Sequence, residues 1–180
     1  MSKRRTSIIF DKVRKANLTY NLVENEDSVA VGISGGKDSL TLLYFLKLLN
    51  IYTPLRFSIH PIYIDLGWGT DIKQVEAFCL SLELPLLIEK TNIGEVVFKA
   101  RQEKNPCSLC ANLRRGALNT VAKRINCNKV ALGHHLDDVV NTMFLSMIYA
   151  SQFNVFKPKT YLDRMDITVI RPLVYVEEKD

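Results

Sequence analysis

No apolar run in the 180 residues approaches the ~20 needed to cross a bilayer as a helix. The basic start MSKRRTSIIFDKVRKANL has its apolar residues interrupted by charges every few positions, so it lacks the unbroken stretch of a secretory signal. No membrane partner is expected, and the location expected is cytoplasmic. Cysteine is scarce: Cys79, Cys107, Cys110 and Cys127 are too few for a disulfide scaffold at this length, and a reducing cytosol would not keep one. No internal repeat, low-complexity tract or Gly/Ser linker divides the chain. What is present, 47% apolar and 24% charged residues, suits a globular domain with a full core and excludes a disordered chain. The net charge of +5 is clustered at Lys3 to Arg5, Arg14 and Lys15, Arg114 and Arg115, Lys123 and Arg124, and Lys157 and Lys159. Such clusters permit a nucleic-acid partner by neutralising phosphates, and serve equally as a solvated surface.

Short β-rich runs alternate with helix-like segments, which predicts an α/β fold: an open parallel sheet of about five strands with helices on both faces. Residues 1–27 read as an N-terminal helical segment, with a helix over 6–23, and 28–180 as the main domain. Strands are expected at 29–33, 59–64, 85–88, 129–132 and 167–170. Helices are expected from the SGGKDS segment to about residue 50, at 71–82, from Pro106 to about 125, and at 136–150. Asn105 is suited to cap the helix that has Pro106 in its first position. In that helix Leu109, Leu113, Ala117, Val121 and Ile125 form an apolar stripe. Residues 151–164 read as a polar loop, and 91–104 give no clear pattern.

Chemistry concentrates in three places. The first is Ser34-Gly35-Gly36-Lys37-Asp38-Ser39, between a buried strand and a helix. Glycines let backbone amides approach an anion without side-chain obstruction, and the helix start adds its positive end. Lys37 adds a point charge, and Ser34 and Ser39 add hydroxyls. The spacing is not that of a Walker A loop, because only three residues separate Gly32 from Gly36 and Asp38 follows the lysine. A carboxylate there suits magnesium or a water-mediated contact better than direct phosphate binding.

The second is Gly133-His134-His135-Leu136-Asp137-Asp138, again where a strand meets a helix and so on the same carboxyl edge of the sheet. The two carboxylates cannot both point one way from a helix, and Asp137 is the one favoured for a metal. The third is Cys107-Ser108-Leu109-Cys110, followed by Arg114 and Arg115. The cysteines lie three apart on one face of a helix start, where the helix end and the arginines favour thiolate over thiol. By itself the pair reads as half a zinc site, a redox pair, part of an iron–sulfur cluster, or two small apolar residues met by chance.

SGGKDS resembles the fingerprint of the PP-loop ATP-pyrophosphatases, which cleave ATP between the α and β phosphates. With GHHLDD, CSLCANLRRG and VIRPL at 169–173 in this order, the chain is most similar to the tRNA 2-thiocytidine synthetase family, over nearly its whole length. The resemblance implies ATP and Mg2+ bound by Ser34, Gly35, Gly36, Lys37, Asp38, Ser39, Asp65, Gly133, His134 and Asp137, with Asp38, Asp137 and Asp138 near the metal. It assigns catalysis to Lys37, Asp38, Cys107 and Cys110, the cysteines as two ligands of a [4Fe–4S] cluster. It implies a cytidine whose C2 oxygen is adenylated and then replaced by sulfur, with tRNA and a sulfur donor such as a cysteine desulfurase as partners, and leaves room for a homodimer. The family's third cysteine ligand lies downstream of the VIRPL strand, and this sequence stops at Asp180, so it reads as truncated at its C-terminus or as a divergent short form. The segment Gly67-Trp68-Gly69 is placed near the adenosine. Two other readings stand beside this one: a lysidine synthetase-like ligase that needs no cysteines, and a nucleotide-binding fragment without catalysis.

Overall fold

The computed structural model describes residues 3–97 and 106–180. The elements run α1 (Lys3–Tyr20), β1 (Ser28–Ile33), α2 (Lys37–Tyr52), β2 (Ser58–Asp65), α3 (Lys73–Ser81), β3 (Leu87–Lys90), α4 (Ile93–Glu95), α5 (Pro106–Arg124), β4 (Lys129–Ala131), α6 (Leu136–Ala150), β5 (Lys159–Leu162) and β6 (Ile167–Ile170). The sheet has the order β3-β2-β1-β4-β6-β5. All neighbours are parallel except the β5–β6 hairpin.

The strands read as buried because successive side chains leave opposite faces and both faces are covered. Val29, Val31 and Ile33 enter a core with α1, α2 and α3. Ala30 enters a second core with Ile62, Ile64 and the stripe of α5. α1 is tied into the first core by Ile9, Val13 and Ala16. The C-terminal stretch joins the same core through Leu173, Val174 and Val176.

Three details of the expected α/β fold need correction. Residues 151–164 are not simply a loop, since β5 lies within them and pairs antiparallel with β6. The sheet therefore has six strands rather than about five. KTYL is half-exposed on an edge, so it lacks the apolar signature of a buried strand, and its partner across the turn decides its conformation. The third strand also begins two residues later than expected, at Leu87. The expected cap at Asn105 lies outside the described residues, as does most of the uncertain stretch 91–104. α6 starts and ends where expected, yet none of its residues is buried. Phe144, Leu145, Ile148 and Tyr149 are all more than half exposed.

Candidate active site

The chain order reverses between β1 and β4, which go to opposite edges of the sheet from the centre. An open α/β sheet leaves a crevice at such a point, beyond the carboxyl ends of the strands. A cleft of about 600 Å³ lies there, and all three sequence motifs line it. Register explains the meeting of the first two. Val31 is level with Ala131, so the chain leaves both strands at the same height. Gly133 then packs against the start of α2. A Cβ at Gly133 would stand 3.1 Å from the Asp38 carbonyl and 3.2 Å from the Ser39 nitrogen. A side chain here would need that turn to give by a few tenths of an ångström, so glycine suits the close approach, and the starts of the two helices lie side by side.

The phosphate loop is organised from within. Gly35 has φ +85°, a region that glycine enters without strain. The buried Ser39 hydroxyl accepts from the Ser34 N–H at 3.1 Å and donates to the Gly36 carbonyl at 2.9 Å. The Ser34 hydroxyl accepts from the Gly36 N–H at 3.2 Å. Ser39 thus acts first as the hub that shapes the loop. α2 carries no side-chain cap at Gly36. Ser34, Asp38 and Ser39 line the cleft, whereas Gly35 and Gly36 are not among its lining residues; an uncapped helix start of this kind attracts an anion.

Lys37 is directed elsewhere. Its ammonium pairs with Glu178 at 2.8 Å and does not line the cleft. That bond raises the pKa of Lys37 and lowers that of Glu178. The two aspartates of α6 also part company. Asp138 lines the cleft, and its carboxylate accepts from the His135 N–H at 2.9 Å, capping the helix start. Asp137 turns to the C-terminal stretch and accepts from the Glu178 N–H at 2.8 Å. Helical phase separates neighbours by roughly 100°, and tertiary packing selected the second of the pair. Asp65 ends β2 but turns inward on its own loop, accepting from the Gly67 N–H at 2.9 Å. Its neighbours Ile64, Leu66 and Trp68 line the cleft instead.

The α5 wall contributes Cys107, exposed, and Cys110, half-buried. Arg114 lines the cleft too and donates to the Ile33 carbonyl at 3.4 Å, joining α5 to the end of β1. His134 lines the cleft with its ring against Phe156, centroids 5.1 Å apart, and Phe156 in turn lies 4.8 Å under the Arg171 guanidinium. Burial, then the charge of Arg171, pushes the His134 imidazole below its ordinary value. It is thus the neutral ring at physiological pH. Sequence reasoning met Arg171 only as part of VIRPL and did not single out Phe156, because the stack joins residues from separate segments of the chain.

Residues 8–180 match the PP-loop domain family. This chain belongs to the PP-loop family. Within it, the tRNA-cytidine(32) 2-sulfurtransferase of Geotalea uraniireducens is 41% identical over 96% of this chain and 69% of its own length. That of Geobacter metallireducens is 37% identical over 100% of this chain and 71% of its own. Such similarity places the chain among these PP-loop sulfurtransferases, which are enzymes. Among solved structures it resembles the U34-tRNA thiolase NcsA of Methanococcus maripaludis, described with its [4Fe–4S] cluster. The TM-score is 0.76 at 26% identity, over 97% of this chain and 60% of that one. The NH3-dependent NAD synthetase of Campylobacter jejuni shares the fold alone, with TM-score 0.57 at 14% identity.

Among the described residues no three His, Cys, Asp or Glu side chains form a ready metal cage. Asp38 and Asp138 line one cleft. Two carboxylates that leave other positions to phosphate and water suit the habits of magnesium. Cys107 and Cys110 supply two soft ligands suited to an iron–sulfur cluster. Cys79 and Cys127 are buried in the two cores and do not line the cleft.

Proposed function

We propose that the protein is an ATP-dependent tRNA-thiolating enzyme that adenylates the C2 oxygen of a cytidine and replaces that oxygen with sulfur. The observation that carries this reading is the convergence of the phosphate loop, Asp138 and the Cys107–Cys110 pair on one cleft. A phosphate-binding loop alone fits many PP-loop enzymes. A thiol pair facing the same space adds a second chemistry.

The β and γ phosphates of ATP lie against the amides of residues 34–39, with Asp38 and Asp138 holding Mg2+. The cytidine C2 oxygen attacks the α-phosphorus and the α–β bridge breaks, releasing pyrophosphate. Preformed amides meet the charge that develops on the leaving group, the kind of electrostatic help that dominates phosphoryl-type transfer. A sulfur nucleophile delivered from the α5 wall then attacks C2, and AMP departs with the original oxygen. When bound, a [4Fe–4S] cluster held through Cys107 and Cys110 supplies an iron site at which sulfur is kept nucleophilic. Arg114 steadies α5 against β1 and offers its charge to the polyphosphate or RNA backbone. Lys37 takes part if it exchanges Glu178 for a phosphate, which both partners' high exposure permits.

The test is to supply ATP, a sulfide source and a cytidine-containing tRNA, and to follow nucleotide products and thiocytidine. AMP and pyrophosphate in equal amounts, dependent on the RNA, together with thiocytidine, are expected. Release of ADP and phosphate would overturn the reading. AMP release that continues with a lysine adduct, indifferent to Cys107→Ser, would establish the ligase alternative.

A further inference from the structure

We propose that Trp68 is the platform on which the target base of the RNA stacks, an inference that rests on the reading of the cleft given above. Trp68 lines the cleft and is 57% exposed, so its indole stands at the rim. An exposed loop indole ordinarily has freedom to move, but this one is built in. The preceding turn is fixed at Asp65, whose side chain accepts from the Gly67 N–H and whose carbonyl accepts from the Thr91 N–H at 2.9 Å. The Thr91 hydroxyl bonds the same carbonyl at 2.7 Å.

Gly94 packs against the indole at Nε1 and Cδ1, and its N–H donates to the Leu66 carbonyl at 3.0 Å. A Cβ at Gly94 would stand 2.6 Å from that carbonyl oxygen and 2.8 Å from the indole Cδ1. Both distances are shorter than real Cβ contacts, and neither neighbour is the loose end of a side chain. Only glycine lets the ring rest here. Contact with Gly94 on one side restricts the indole and leaves more than half of it exposed, which lowers the entropy lost when a base stacks on it.

The choice of ring follows from place. The floor of the cleft near the phosphate loop is apolar, with Ile62, Ile64, Leu118 and Leu132. It suits the adenine of a nucleotide whose phosphates are at residues 34–39. The rim is what a base entering from solvent meets first. An enzyme that works on C2 of a base must take that base out of its own stack. Stacking on an aromatic offsets the loss, with no need to read sequence. Cys107 and Arg114 line the same cleft. A base held on the indole thus shares one space with both the sulfur wall and a cation for its backbone.

Trp68 is the single tryptophan of the chain, so its emission, excited at the red edge of the indole band, reports this residue alone. The full chain is titrated with a hairpin RNA carrying an unpaired loop cytidine and, separately, with Mg·ATP, while the anisotropy of labelled RNA measures binding independently. RNA is expected to quench the emission and ATP to leave it unchanged. Trp68→Ala is expected to weaken RNA binding about tenfold or more, and Trp68→Phe to restore most of it. Gly94→Ala, which displaces the ring, should reduce quenching while ATP binding is retained. RNA binding by anisotropy without a change in emission would overturn the proposal, as would quenching by ATP alone. So would Trp68→Ala binding RNA as tightly as the wild type. Absence of any RNA binding by the wild type at low salt would instead overturn the functional reading itself, and the inference with it.

Discussion

Cys107 and Cys110 stand on the first turns of α5 at the wall of the cleft, one exposed and one half-buried. Cys79 and Cys127 are sealed away, one in each core of the sheet, with 0% and 2% of their surface exposed. Burial raises the pKa of both inner thiols. For Cys127 a hydrogen bond from the Ser28 hydroxyl, 3.4 Å from its sulfur, works against that shift. The same side chain thus serves as a small buried filler at two positions and stands open to the cleft at the other two. What separates them is access and surroundings rather than residue type.

The comparison can be broken most sharply at the cleft. Cys107→Ser and Cys110→Ser should each reduce thiocytidine formation to background, a loss of at least ~100-fold. The first-turnover release of pyrophosphate and the denaturation midpoint should stay close to wild type, while AMP, which departs only when sulfur attacks C2, should fall with the product. If thiolation survives, the outer pair is no more functional than the inner one. The next largest contrast is chemical. Iodoacetamide should label the outer thiols at once, and the inner thiols only as fast as the domain opens, slower by about two orders of magnitude or more. Mass mapping of the labelled peptides reads the order directly.

A smaller effect tests the inner pair as packing. Cys79→Ser places a hydroxyl where, among the described residues, no polar group bonds the sulfur, and should cost ~1–3 kcal/mol of unfolding free energy. Cys127→Ser should cost less, because Ser28 can still hydrogen-bond the new group. Activity per folded molecule should be unchanged in both, as urea titration alongside single-turnover assays would measure.

The smallest effect is on alkaline stability. A thiol with a raised folded pKa favours folding fully at neutral pH. Its contribution falls as pH climbs past the ordinary thiol value, 9.0, where the unfolded chain ionises first. Urea midpoints should therefore decline above that pH, and the decline should be shallower in a Cys79→Ala, Cys127→Ala double variant. An identical decline in that variant would mean that the buried thiols have no part in it.

Legibility followed locality. The glycine loop and the CxxC were readable because a few adjacent residues carry the chemistry and their strand–helix context is itself local. β6 and α6 were bounded to the residue by apolar runs with clear breaks. β5 was missed because Lys159–Leu162 is an edge strand made by its partner. The choice between Asp137 and Asp138 turned on helical phase against a C-terminal stretch more than thirty residues away. Lys37 was expected at the phosphates, yet its nearest counter-charge is Glu178, 141 residues along the chain.

The sequence alone determined the kinds of group available: a glycine loop at a helix start, carboxylates at a second helix start, and a thiol pair at a third. These depend on residue type and short spacing, which chain connectivity holds fixed. Only the tertiary structure decided that the three meet. The β1–β4 register sets Gly133 against Asp38, and the sheet order opens the crevice where α5 brings its cysteines. Packing also decided which carboxylate and which aromatic face the cleft, because side-chain direction depends on neighbours that the chain reaches only after it folds.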